Sequence, residues 1–109
     1  MPPSTAAGLA DLDDLMAAVG TVHLVKRRPL FGCPAVWHDG GKPFMSLWGD
    51  DIVFRLAGAD LEAALALPDA ALFEPMPGRR MGGWVRVPRT ASRHWPDLAQ
   101  QAAATPLSH

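Results

Sequence analysis

The amino-acid sequence predicts an α+β domain in which about three helices flank an antiparallel β-sheet made of a meander and a hairpin. Helix-like stretches stand near both ends and in the middle of the chain, and short segments rich in β-forming residues lie between them. The links between these segments are tight turns. Such short links join antiparallel strands, because a parallel pair needs a crossover of about a dozen residues.

The first predicted element is an amphipathic helix that begins at Leu9. Its apolar positions recur every three or four residues, at Leu9, Leu12, Leu15, Met16 and Val19. Gly20 ends it, as glycine commonly does after a last helical turn. Residues 1–8 consist mainly of Pro, Ser, Thr, Ala and Gly. We interpret them as a disordered tail before a single domain that covers residues 9–105.

Four short strands are predicted next, at "TVHLV" (21–25), "PAVWH" (34–38), "KPFMSLW" (42–48) and "DIVFRL" (51–56). Turns at 39–41 and 49–51 join the last three into a meander. Alternation in the third strand predicts one face with Phe44, Ser46 and Trp48, and the other with Met45 and Leu47. In the fourth strand, Ile52, Phe54 and Leu56 oppose Val53 and Arg55.

The second half of the chain predicts a helix, a hairpin and a final helix. "ADLEAALALPDAA" is an alanine-rich helix that ends near Pro68. "ALFEPMPGRRMGG" contains too much proline and glycine for a central strand. "GWVRVPR" then alternates, with Val85 and Val87 opposite Trp84 and Arg86. The last helix is predicted to start near Pro96, with Asp97 in its first turn, and to end at Pro106.

Composition narrows the class of protein. A chain of 109 residues fits one domain, and its formal net charge of −1 lacks the basic excess typical of nucleic-acid-binding proteins. The single cysteine cannot form an internal disulfide. The N-terminus has no basic region of a signal peptide, and no apolar run approaches the length of a membrane span. We therefore expect a cytoplasmic protein that does not associate with a membrane.

An ordered set of short motifs runs through residues 9–104. A Phe-Gly pair, Phe31 and Gly32, enters a hairpin strand, and Gly40 and Gly41 precede Phe44 and Met45. Arg55 ends the next strand. A "Phe-x-Pro-Met-x-Gly-Arg" stretch follows at Phe73, Pro75, Met76, Gly78 and Arg79, and an aromatic strand runs from Trp84 to Pro88. In this order of motifs the chain resembles the TfoX/Sxy N-terminal domain family.

This resemblance implies a TfoX N-terminal-like fold and a regulatory role. The best-known members of the family resemble regulators of natural competence that work with a transcription activator. They carry an additional C-terminal helical domain, for which this sequence has no room. The resemblance also implies structural roles for the motif positions Phe31, Gly32, Gly40, Gly78, Trp84 and Pro88.

The residues that could carry catalysis do not form a recognisable pattern. Cys33 has cationic neighbours only in sequence, so we interpret it as a small packing residue. The pair His38-Asp39 could be a base and its orienting carboxylate, but no nucleophile motif accompanies it. The histidines, at 23, 38, 94 and 109, lack paired metal-ligand spacing. We therefore predict no catalytic residue, no metal site and no cofactor.

Two basic groups are the candidate interaction or anion-binding residues, Lys26-Arg27-Arg28 and Arg79-Arg80 with Arg86. If they met in space, they would form a basic patch for an acidic partner, a phosphate or a nucleic acid. The alternative is a solvated rim that balances the aspartates. We interpret the four tryptophans mainly as core residues, with room for one at an interface.

Together these observations predict a small non-enzymatic regulatory domain that acts through protein–protein contact, with transcription regulation as one role. Open sheet edges would also allow a homodimer. Two alternatives stay open at this point. The first is a nucleic-acid or phosphate-binding module that uses the basic groups, and the second is a small-ligand binder or enzyme with a pocket near Cys33 and His38.

Overall fold

A computed structural model of the chain describes residues 2–105 and has an antiparallel six-stranded sheet with three α-helices, which confirms the α+β class. The elements are, in chain order, α1 (Ala6–Val19), β1 (Val25–Leu30), β2 (Cys33–His38), β3 (Pro43–Trp48), β4 (Asp51–Arg55), α2 (Gly58–Leu65), β5 (Ala71–Met76), β6 (Arg79–Val87), a 3₁₀ helix (Arg89–His94) and α3 (Trp95–Ala104).

The helices pack against one face of the sheet, which we call the helix face. The strand order is β1-β2-β3-β4-β6-β5, so β1 and β5 are the edge strands. Helix α1 contacts α3 and lies over β2, β3 and β4, while α2 contacts β6. Alternate strand residues meet the helices here, and the fully buried members of this core are Leu12, Val19, Val36, Phe44, Met45, Leu47, Ile52, Phe54, Val85, Val87 and Ala102.

Helix α1 begins at Ala6, three residues before the predicted Leu9, and includes residues that we had assigned to the tail. The Thr5 side chain explains the earlier start, because its Oγ1 accepts a hydrogen bond from the backbone N–H of Gly8 at 2.9 Å. The same hydroxyl donates to Asp50 at 2.5 Å. Met1, also assigned to the tail, lies outside the described residues.

The predicted strand at residues 21–25 is wrong for all but its last residue. The N–H groups of Val22 and His23 both donate to the Val19 carbonyl at 3.0 Å, so the turn that ends α1 continues through His23. Strand β1 therefore starts at Val25 and contains the basic run Lys26-Arg27-Arg28. Its edge position explains why the strand lacks a buried alternate face.

A β-bulge changes the predicted alternation in β3. Val36 pairs with Met45 but Trp37 pairs with Pro43, so Phe44 is an extra residue in the β2–β3 ladder. Phe44 and Met45 therefore both enter the helix-face core, and the prediction that Phe44 shares a face with Ser46 and Trp48 is wrong. The alternation predicted for Trp84 to Val87 is confirmed, because Val85 and Val87 lie in the helix-face core while Trp84 packs in the opposite cluster.

The remaining elements follow the predicted order. Helix α2 ends at Leu65, before Pro68, and α3 has Pro96 and Asp97 in its first turn. The predicted helix end at Pro106 lies outside the described residues. Within residues 2–105, no helix has the length and apolar character needed to cross a membrane.

Candidate docking groove

The outer half of the β5–β6 hairpin, residues 73–82, packs across the sheet face opposite the helices, and we call it the arm. Its Phe73 ring meets Trp48 of β3 edge-on, with the ring centres 4.9 Å apart. Phe73, Val53 and Trp84 form a second buried cluster, against which Leu30, Trp48 and Met81 pack. The arm thus brings the end of one hairpin over the strands β3 and β4.

Gly83 explains how the arm turns. Its φ of +84° lies in the left-handed region, and the β5–β6 register shifts between Leu72 and Phe73. Extra residues and glycine in a strand bend it and increase its twist. The Gly83 carbonyl also accepts a hydrogen bond from the Leu56 N–H at 2.8 Å, which holds this bend to the end of β4.

An open groove lies between the arm and the β1–β2 turn. It has a volume of about 440 Å³, and its apolar lining comes from Phe31, Trp48, Pro75, Met76 and Met81. Arg79 and Arg80 complete the wall. This volume falls in the range of about 300–1,000 Å³ usual for ligand sites, and a mainly apolar lining with few polar groups is also typical of them. We call this cavity the groove.

Phe31 occupies the β1–β2 turn in an unusual backbone conformation. The turn has two residues, Phe31 and Gly32, with φ values of +52° and +77°. Hairpins favour such turns, but their first position usually holds Asn, Asp or Gly. A residue with a side chain pays roughly 1–2 kcal/mol in this region. Phe31 is nevertheless 59% exposed and faces the groove, so core packing does not explain its presence.

Two arginines with different surroundings stand at the groove. Arg80 Nε lies 3.4 Å from Glu74 Oε1, while Glu74 Oε2 accepts a hydrogen bond from the Gly78 N–H at 3.0 Å. Glu74 therefore both ties the turn of the arm and engages Arg80. Arg79 is exposed and makes no ion pair within residues 2–105.

The two predicted basic groups lie on different parts of the sheet. Lys26, Arg27 and Arg28 are on β1, whereas Arg79, Arg80 and Arg86 are on β6, and three strands separate β1 from β6. Only Arg79 and Arg80 of the six line the groove. The second basic group is therefore divided, because Arg86 does not line the groove.

Most of these cations are already paired with carboxylates. Lys26 lies 3.4 Å from Asp39, Arg27 pairs with Asp13 of α1, and Arg86 lies 2.8 Å from Asp51. The Arg28 guanidinium stacks over the Trp37 ring at 4.9 Å. The arrangement resembles the solvated rim more than a concentrated patch, because every one of these charges except Arg79 has a separate local neighbour.

Cys33 and His38 lie at opposite ends of β2 and have different surroundings. Cys33 is buried, and burial raises the pKa of its thiol, which favours the protonated form over the nucleophilic thiolate. His38 packs against Phe44 and His23, with ring centres 4.6 and 5.8 Å away. Asp39 engages Lys26. Among the residues described, no group of three His, Cys, Asp or Glu side chains is arranged to hold a metal. His109 lies outside them.

Burial, the charge of Arg55 and the proximity of His23 lower the pKa of His38, although a hydrogen bond to the Ala103 backbone acts in the opposite direction. The neutral imidazole is therefore the favoured form in the folded protein. It serves as a packing residue between the sheet and the end of α3.

The motif positions mainly shape the backbone. Gly32, Gly40 and Gly78 adopt positive φ values in three of the hairpin turns, Trp84 packs under the arm, and Pro88 precedes the 3₁₀ helix. Sequence reasoning missed the groove itself, and with it Trp48 and Met81 as lining residues. Two features of the sequence could have indicated the groove. They are a glycine pair inside an alternating strand and an aromatic residue at a tight turn.

The geometry of the groove is the basis for any functional proposal. Its apolar lining, its two arginines and the strained Phe31 are all observed directly in this chain. No protein-family model matches the chain, and neither a curated protein nor a solved structure matches it.

Proposed function

We propose that this protein is a small non-enzymatic interaction domain that binds an apolar segment of a partner protein in the groove. The order of motifs that resembles the TfoX/Sxy N-terminal domain family supports a regulatory role, with transcription regulation as the process to test first. The cytoplasm is the proposed compartment. Partner binding requires no chemistry at Cys33 or His38, whose surroundings favour the neutral thiol and imidazole.

Phe31 is the observation that carries this proposal. A strained backbone conformation persists where the surrounding structure or a function requires it. Here an exposed aromatic side chain occupies a position that asparagine would fill with less strain. Binding surfaces are enriched in aromatic residues and methionine, and Met76, which is 56% exposed, lies in the same groove.

A nucleic-acid ligand receives less support from the charges. Binding to a phosphate backbone needs several cations that are available together, because affinity comes largely from the release of counterions. Here Lys26, Arg27 and Arg86 are each engaged with an aspartate. Nucleic acid therefore enters the test below as a competing outcome.

The first prediction concerns Phe31→Asn. The variant should fold, since asparagine tolerates the left-handed conformation, but it should lose most of its partner binding because the groove loses an aromatic wall. The measurement is affinity capture from nuclease-treated lysate, quantified by mass spectrometry, with circular dichroism to verify the fold. Leu24→Asn is the matched control, because Leu24 is 81% exposed and does not line the groove.

We expect wild type and Leu24→Asn to retain the same protein, and Phe31→Asn to retain at least about tenfold less, which corresponds to 1.4 kcal/mol. Met76→Asn should cause a similar loss of partner binding, because it removes a different apolar side chain from the groove. Equal capture by all four proteins would contradict the proposal. A parallel capture from untreated lysate is included, and a partner that is captured there but lost after nuclease treatment would instead support the nucleic-acid alternative.

A further inference from the structure

We infer that the segment bound in the groove is an apolar peptide flanked by carboxylates, and that one carboxylate pairs with Arg79. This inference rests on the proposed function and adds the chemistry of the partner. It depends on two features of the groove, which are its apolar lining and its two arginines, and on Glu74, which engages Arg80 from outside the groove.

The apolar lining selects the centre of the peptide. Trp48 and Met81 also pack against the second buried cluster, so this end of the groove is supported from below. Met76 and Pro75 form the arm side, and Phe31 forms the opposite side. Methionine side chains adapt to ligands of irregular shape, which suits a leucine, methionine or phenylalanine side chain of a partner.

The two arginines select the charge of the flanking residues. Arg80 already has a carboxylate neighbour in Glu74, at 3.4 Å, which illustrates the chemistry that this rim attracts. Arg79 is the adjacent exposed guanidinium and makes no ion pair with any residue of 2–105. A guanidinium can hold a carboxylate through two parallel hydrogen bonds, so an Asp or Glu of the partner complements Arg79.

Glu74 also disfavours a highly charged polyanion. Its carboxylate is fixed near the groove by the Gly78 N–H as well as by Arg80. A polyanion that extended from the groove past Arg80 would approach this carboxylate, whereas a peptide with one or two carboxylates can avoid it. The charge pattern therefore favours an acidic apolar peptide over a nucleic acid at this site.

The second prediction tests this selectivity with three synthetic peptides that are acetylated and amidated. They share a Leu-Phe-Leu core and carry two Asp, two Asn or two Lys residues as flanks. Binding is measured by NMR titration of the Trp48 indole resonance, assigned with a Trp48→Phe variant. The Asp peptide should bind about twofold to fivefold more tightly than the Asn peptide, as expected for one exposed ion pair, and the Lys peptide should bind most weakly.

Charge reversal provides the matched comparison. Arg79→Glu should invert the order, so that the Lys peptide binds more tightly than the Asp peptide. Lys42→Glu is the control, because Lys42 is exposed in the β2–β3 turn and does not line the groove. It should leave the order unchanged despite the same change in net charge.

Each outcome separates the peptide chemistry from the groove itself. Equal binding of the Asp and Lys peptides to wild type, abolished by Phe31→Asn, would overturn the charge preference but support the groove as a docking site. Binding that Phe31→Asn leaves unchanged would overturn both. If none of the peptides binds while Phe31→Asn still abolishes capture of a protein, the inferred chemistry of the segment is wrong and the proposed function stands.

Discussion

Phe31 and Gly32 show what can and what cannot be predicted from the sequence at a single position. Their tight turn could be anticipated, because glycine readily adopts a positive φ. The role of Phe31 in the groove could not, since it depends on an arm that approaches from more than forty residues along the chain. Local turn chemistry can be read from neighbouring residues, whereas a groove between two hairpins depends on the tertiary fold.

The third prediction concerns His38 and the pH dependence of stability. The pKa of His38 in the folded protein is lowered from the ordinary value of 6.5, by burial first and then by Arg55 and His23. The unfolded chain therefore binds more protons than the folded protein between these two pKa values. Stability should be fully present above pH 6.5 and should fall as the pH drops towards the lowered pKa.

The measurement is urea denaturation at several pH values between 7.5 and about 5, where the intercept gives the free energy of unfolding. His38→Gln should show a smaller fall than wild type, because glutamine does not titrate. His94→Gln serves as the control, since His94 is not part of the His23–His38–Phe44 contacts. An identical pH profile for wild type and His38→Gln would contradict the assignment.

At the scale of elements, tight turns and periodicity predict the meander and the order of the helices. They do not predict where β1 starts or that β3 contains a bulge. The turn after α1 takes residues 21–24 out of the predicted strand, because the N–H groups of residues 21–23 bond to the helix end. The bulge at Phe44 is set by pairing with β2. Both departures arise from hydrogen bonds between segments, which alternation within one segment cannot predict.

The fourth prediction tests the bend of the arm. Gly83→Ala should lower the free energy of unfolding by roughly 1–2 kcal/mol, because an alanine at a φ of +84° is strained. Gly82→Ala is a matched neighbour, since a Cβ at position 82 meets no atom within 4 Å and its φ is not positive. It should change stability by less than about 1 kcal/mol, in either direction.

Chemical denaturation of the two variants provides the comparison, and the Trp48 indole resonance reports whether the arm has moved. A larger shift of this resonance is expected for Gly83→Ala, because Trp48 contacts Phe73 of the arm. Equal stability of the two alanine variants would show that the bend does not depend on the freedom of Gly83.

At the scale of the whole molecule, the two faces of the sheet pack against different elements. The helix face contains most of the core, and Arg89 joins its elements by contacts of 2.5 Å with Asp11 and 2.6 Å with Asp50. Within residues 2–105, the opposite face carries the smaller cluster and the arm. Among the described residues, five of the ten Lys and Arg residues form ion pairs, so the formal net charge of −1 does not show where the unpaired cations lie.

The central claim, that a partner protein occupies the groove, is tested most directly by site-specific photo-cross-linking. A photoreactive amino acid would replace Met76, which is 56% exposed in the groove, or Val22, which is 73% exposed and does not line it. We predict that position 76 cross-links one protein in nuclease-treated lysate, and that Phe31→Asn removes this product. Position 22 should give little of it. The same product at equal yield from both positions, or from position 22 alone, would contradict the claim.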